Sequence, residues 1–419
     1  MRFSKRTIAP ALAALGSMLG SVRVGRAGDA RPSPVERVRA EIAADPQLGR
    51  SAYDALSAPP FLLCRQREAT IDEAAMTSMS KSERDAARVA VEQRNAQAVR
   101  DLAEKARIFT GVYDHFLATF GKRCGLAPLV ESPPRGVGPG TPAGVDASPR
   151  LPLLVWIFTD KRTFAEYHES HVAAGVAAGV ACFLARPTGW AFLFEENGTD
   201  REFSIQRCAA LATLSLLDAY ARQRSAGAPV VPLPMFFETG LAEWLGAVSM
   251  AKDRTLTFVG VNRPRLQMLK GLKEEASKAN RKMIAFPVRE LVEFVDCAGI
   301  ERCGVEAFGV ASRLALPRFH IQSWEVLRFL DDAEGGEHRA AIGDMLCAWL
   351  GRPRVVPAGT LEVVKSVLGI DTADRWKALE KAFERYEQHL LRFDEAALPG
   401  PPLLGDWPGY VAPALAPAK

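Results

Sequence analysis

The stretch from Phe203 to Arg224 constrains this chain more than any other. Ile205, Leu211, Leu214, Leu216 and Leu217 spread around a helix rather than along one side of it. A helix that is apolar on nearly all faces is stable only when other elements surround it. The rest of the chain must therefore supply covering layers, and this helix should be central and buried.

Material for those layers lies on both sides. Leu151 to Phe158 (LPLLVWIF) reads as a buried strand. Thr159 and Asp160 cap a short helix from Lys161 to about His168. Ala181–Leu184 and Trp190–Phe194 read as two further strands around a Pro187–Gly189 turn. After the central helix, Pro229, Pro232 and Pro234 make a rigid connection to a helix over Phe236–Ala247, followed by a strand at Leu256–Val259. Residues 264–395 read as helical in four to six segments, and 396–419 as a proline-rich, extended tail.

Upstream, residues 28–130 look helical. Ser80, Ser82 and Glu83 can cap a helix running to Phe120. Along it Val89, Ala96, Val99, Leu102, Ala106 and Phe109 recur at helical steps, the mark of a packing face. Residues 131–150 are dense in Pro and Gly and read as a flexible linker and domain boundary, because such a segment buries too little to offset its ordering entropy.

The composition, 48% apolar and 24% charged over 419 residues, excludes a collagen, a coiled-coil rod and a wholly disordered chain. The formal charge of +4 belongs to one short segment: Arg2, Lys5, Arg6, Arg23 and Arg26 precede the first acid, Asp29. Without residues 1–27 the chain carries 48 basic and 49 acidic residues. Residues 1–27 have the layout of a secretory signal: a basic start, an uncharged Thr7–Val22 region and small residues at Gly25 and Ala27. An uncleaved anchor is the alternative, although Pro10 and the short apolar run suit a spanning helix poorly. The expectation is export to a periplasmic or extracellular location, with no membrane span in the mature body. Scattered basic residues leave no nucleic-acid footprint.

In an exported chain seven cysteines invite disulfides. Cys64 and Cys124 flank a long helical stretch, and Cys297 and Cys303 could close a short loop; Cys182, Cys208 and Cys347 read as packed thiols. The alternative is that none is bonded.

The order of elements, from LLVWIF through the aromatic pair Phe164 and Tyr167 to FFETGLAEW at 236–244, resembles secreted peptidase MA-like metallopeptidases of the gluzincin type. The IQSWEVLRFL run at 321–330, Gly335-Gly336, Arg339, LGID at 368–371 and Trp376 extend the resemblance over about 151–390. It implies an α+β, mostly helical fold: a zincin-like domain over 151–395 with a small N-terminal sheet and a helical C-terminal part, preceded by the helical N-terminal region. In active members the resemblance implies a buried helix with HExxH, whose two imidazoles share a zinc. A Glu before the Gly of EGLAE is then the third ligand.

This chain departs at each of those positions. Its six histidines are 115, 168, 171, 320, 338 and 389, and none lies in 202–225. The best register puts Gln206 and Ala210 where the histidines belong and Arg207 where the catalytic Glu belongs. Thr239 stands for the third ligand. Glu238 is displaced by one residue, and Glu243 remains as a further cleft candidate. The helices should pack so that Gln206 or Arg207 approaches Glu238 or Thr239; if those residues lie far apart, the family assignment fails. Gln and Thr are poor zinc ligands, Ala is none, and Arg207 adds a cation, so zinc should be lost and no cofactor is expected. His168 and His171, spaced i, i+3, are the weak alternative metal pair beside a reading as a solvated helix end, and His320 reads as a packed or capping histidine. No G-x-S-x-G, phosphate loop or dinucleotide fingerprint occurs. The resulting expectation is an exported pseudo-metallopeptidase that binds or scaffolds an unknown protein or peptide. An active hydrolase with a relocated site, and an unrelated helical structural protein, remain alternatives.

Overall fold

A computed structural model describes residues 32–67, 77–129, 151–171, 182–186, 188–194, 201–225, 233–251, 254–258, 260–280, 282–283, 285–308, 315–333, 336–350 and 359–393. The expected signal, the 131–150 segment and the 396–419 tail lie outside them.

A five-stranded mixed sheet organises the first part. Its strands are β1 (Tyr53–Ala58), β2 (Phe61–Gln66), β3 (Leu153–Phe158), β4 (Cys182–Ala185) and β5 (Trp190–Phe194). The order is β1-β2-β3-β5-β4; β2, β3 and β5 are parallel, and the outer strands β1 and β4 are antiparallel to their neighbours. Side chains alternate along each strand, so each face has its own core. Phe61, Leu63, Val155, Ile157, Ala191 and Leu193 face one way, and Leu62, Cys64, Leu154, Trp156, Phe158 and Phe192 the other. LLVWIF is apolar at every position because β3 is covered on both sides.

The first face packs against α2 (Lys81–Phe116) and α4 (Arg201–Ser225). The second is covered by α1 (Pro34–Ala44) and α3 (Lys161–His171), through Val38, Ile42, Phe164 and Tyr167. Helix α2 starts with a reciprocal capping box, Ser80 with Glu83, as its sequence predicts. Helix α4 is buried on most of its circumference, from Ile205 to Ala221.

Beyond it come α5 (Met235–Leu245) and a two-stranded ribbon of β6 (Val248–Met250) and β7 (Leu256–Phe258). Among the described residues seven helices follow, against an expected four to six: α6 (Arg263–Lys278), α7 (Val288–Glu293), α8 (Cys297–Phe308), α9 (Ala315–Asp332), α10 (Arg339–Leu350), α11 (Thr360–Leu368) and α12 (Ala373–Leu391). Helix α9 carries the IQSWEVLRFL run and is buried almost throughout. It lies hard against α5 at Gly240, where a Cβ would stand 2.5 Å from the Ser323 carbonyl oxygen. Among the described residues no helix is long and apolar enough to cross a membrane.

The mostly helical α+β class is as expected; three details differ. The N-terminal region is not all helical, since β1 and β2 lie within it. The expected boundary at 131–150 does not separate two cores: β2 and β3, on either side of it, are hydrogen-bonded neighbours, and α2 shares a core with α4. The cysteine pairing also differs. Cys124 is bonded to Cys347, while Cys64, Cys297 and Cys303 are free. Cys64 and Cys124 belong to the cores on opposite faces of the sheet. Cys297 and Cys303 lie on one helix, separated by a rise of about 9 Å, beyond the roughly 7 Å that a disulfide spans.

Candidate functional site

Three stripes of partly exposed side chains meet beside the outer strand β4. On β4, Cys182 and Leu184 alternate onto the α4 side of the sheet, and Arg186 follows the strand end. On α4, Phe203, Ser204, Arg207, Ala210 and Leu214 are the partly exposed positions of an otherwise buried stretch, and Phe203, Arg207, Ala210 and Leu214 follow one another at steps of three and four. On α5, Thr239 and Glu243 form an i, i+4 pair. The Cys182 thiol lies within electrostatic reach of Arg207, Glu243 and Arg265, which ties the stripes together.

Two charged clusters occupy this region. In the first, Arg222 Nε donates to Asp218 Oδ2 at 2.6 Å, and its Nη2 donates to the Arg186 carbonyl. Arg186 pairs with Glu238 and, at 3.5 Å, with Asp218. Glu238 is buried, and burial pushes its carboxyl upward against the pull of Arg186. Arg186 is the member of this cluster that reaches solvent, its side chain 44% exposed.

In the second cluster, Glu243 pairs with Arg265 and accepts from Asn262 Nδ2 at 3.0 Å. His320 Nδ1 stands 3.8 Å from Glu243 Oε1. Burial alone would raise the Glu243 carboxyl, but the Arg265 guanidinium and His320 outweigh it and hold it down at about 2. Arg263 pairs with Glu202 at 3.4 Å, and Gln206 Nε2 donates to Glu202 at 3.4 Å. Arg207 Nη1 donates to the Phe194 carbonyl at 3.4 Å, and its guanidinium lies over the Phe203 ring, 4.3 Å from the centroid. Burial pushes the Cys182 thiol up to about 11, so it stays protonated at neutral pH.

The expected approach of Gln206 or Arg207 to Glu238 or Thr239 does not occur in that register. Helices α4 and α5 run in opposite directions. Gly246, just past α5, sits on the Gln206 carbonyl and the Ala210 side chain, whereas Glu238, at the start of α5, shares Arg186 with Asp218. Asp218 is twelve residues beyond Gln206, about 18 Å along the helix. The α4 position opposite the start of α5 is thus several turns later than the alignment assumed, and the packing that the family resemblance required is not met.

The donor set does not fit zinc. Gln206 is buried and bonded to Glu202, Ala210 has no donor, and Arg207 brings a cation. Glu238 is tied to Arg186 and Glu243 to Arg265. Among the described residues no group of three or more His, Cys, Asp or Glu side chains comes together as a metal centre. His168 is a packed histidine rather than a solvated one: it lies 4.8 Å from Phe183, and burial lowers its pKa. The His171 side chain lies outside the described residues.

Sequence reasoning reached Arg207, Glu238 and Glu243. It missed Cys182, Arg186, Asp218, Arg222, Asn262, Arg263 and Arg265, and it placed His320 before a helix that contains it. Only the i, i+4 spacing of Asp218 and Arg222 could have signalled a pair in advance. No family model matches the chain, and neither does any curated protein.

Proposed function

We propose that this chain is an exported, non-catalytic peptide-binding protein. One observation carries the reading. Each carboxylate described in the two clusters is already held by a guanidinium: Glu202 by Arg263, Glu243 by Arg265, Glu238 by Arg186 and Asp218 by Arg222. A carboxylate held in this way is a poor metal ligand and a poor base, since its charge is already neutralised. What remains is a fixed, partly exposed polar surface beside the outer strand β4, a geometry suited to an extended chain.

Export is supported by the signal-like residues 1–27 and by the Cys124–Cys347 disulfide, which suits an oxidising compartment.

The test is metal content together with turnover. Purified mature protein should hold no stoichiometric zinc and should leave a randomised peptide pool uncut while retaining part of it on a column. About one zinc per chain, removed by chelator together with peptidase activity, overturns the proposal and favours the active hydrolase.

A further inference from the structure

We infer that Arg207 is the recognition element for a carboxylate on the bound peptide; this rests on the peptide-binding reading above. Among the described residues, each carboxylate of the second cluster is taken by a guanidinium, Glu202 by Arg263 and Glu243 by Arg265. Among the described residues Arg207 has no acidic partner, only the Phe194 carbonyl and the Phe203 ring.

A guanidinium has five N–H donors in a planar fork. The bond to Phe194 uses one of them. The remaining donors match a carboxylate, which accepts two parallel hydrogen bonds from one Arg. The Phe203 ring holds the fork from one side, so little rotamer freedom is lost when a ligand arrives. Glu243 does not compete for Arg207, because Arg265 and Asn262 already satisfy it. The site is therefore a pre-oriented cation beside β4, open to an anion that comes with the peptide. A phosphate-sized dianion has no second unpaired cation to meet among the described groups of this cluster. The carboxylate can be an acidic side chain or the peptide's own C-terminus.

The experiment uses the full mature protein on a column and three randomised octapeptide pools. The first lacks Asp and Glu and ends in an amide. The second differs by one fixed central Glu. The third differs by a free C-terminal carboxylate. At least one carboxylate pool should be retained about tenfold or more tightly than the blocked pool, and which one identifies the source. Arg207→Gln should remove that preference, while Arg207→Lys should keep part of it. Equal retention of all three pools by the unmodified protein overturns the role of Arg207 and leaves the peptide-binding reading standing, as does a preference that survives in Arg207→Gln. Retention of no pool overturns both. Thermal unfolding of each variant checks that the fold is intact.

Discussion

Cys124 and Cys347 are bonded to each other across 223 positions of sequence, their Cα atoms 4.9 Å apart. The bond fastens the end of the long helical stretch that begins with α2 to the middle of α10. Noncovalent contacts repeat the attachment. Arg123 pairs with Asp344 at 2.6 Å, and Arg224 donates to the carbonyls of Cys124 and Gly125. Cross-linking so long a loop restricts the unfolded chain strongly. Cys347→Ser, or reduction, should lower stability by about 2–5 kcal/mol in denaturant unfolding. An unchanged midpoint would mean that the surrounding contacts alone set the stability of this corner.

Gly240 is the second test point. Any side chain there meets the Ser323 carbonyl oxygen at 2.5 Å and Leu327 at 3.1 Å. The first is backbone and cannot swing away, so α5 and α9 must separate. Gly240→Ala should cost about 1–3 kcal/mol despite the better helix propensity of Ala. A neutral or stabilising result would show that the two helices are not held at this spacing.

Two glutamates, Glu243 partly exposed and Glu325 fully buried, give stability opposite dependences on pH. Glu243 is held down at about 2 from an ordinary 4.5, so its contribution is complete above 4.5 and is lost as pH falls toward 2. The shift corresponds to about 3 kcal/mol. Burial pushes Glu325 up to about 7 from the same 4.5, against the pull of Arg318. Its folded form holds a proton that the unfolded form releases, so stability declines as pH rises from 4.5 to about 7. Glu243→Gln should flatten the acid limb, and Glu325→Gln the decline toward neutrality, in urea titrations at stepped pH. Unaltered limbs would assign the dependence to other groups.

Arg318 ties α9 to α12. It is fully buried, donates to Glu325 Oε2 at 2.7 Å and also pairs with Glu387. Arg318→Met would leave two carboxylates without their cation in the core, a loss of about 3–5 kcal/mol. A change under about 1 kcal/mol would mean that this pairing does not hold α9 against α12.

The sequence was most informative where a local rule suffices. LLVWIF announced a strand covered on both sides, Ser80 with Glu83 announced the start of α2, and the apolar run at 203–224 announced a central helix. It misled where long-range pairing decides. The FLLC run of β2 is too short to tell strand from buried helix by period, and only its parallel neighbour β3 makes it a strand. The site suffered in the same way. Arg207, Glu238 and Glu243 were reachable through the GLAEW helix and the helix before it. Arg186, Arg263 and Arg265 are ordinary surface arginines in sequence, and become part of a cluster only because β4 and α6 are brought to α4 and α5. The register between α4 and α5 failed because the direction of packing, not the spacing within either helix, sets which turns meet.

The place of β3 in the sheet has a consequence for timing. β1 and β2 are made before β3, and the strand that completes their pairing begins at Leu153. The apolar stripe of α2 meets β2 early, through Phe109 on Phe61, but is covered in full only once α4 is present. The first third of the chain therefore stays unfinished until more than half has been made. Folding therefore waits on distant contacts, which are slow to form.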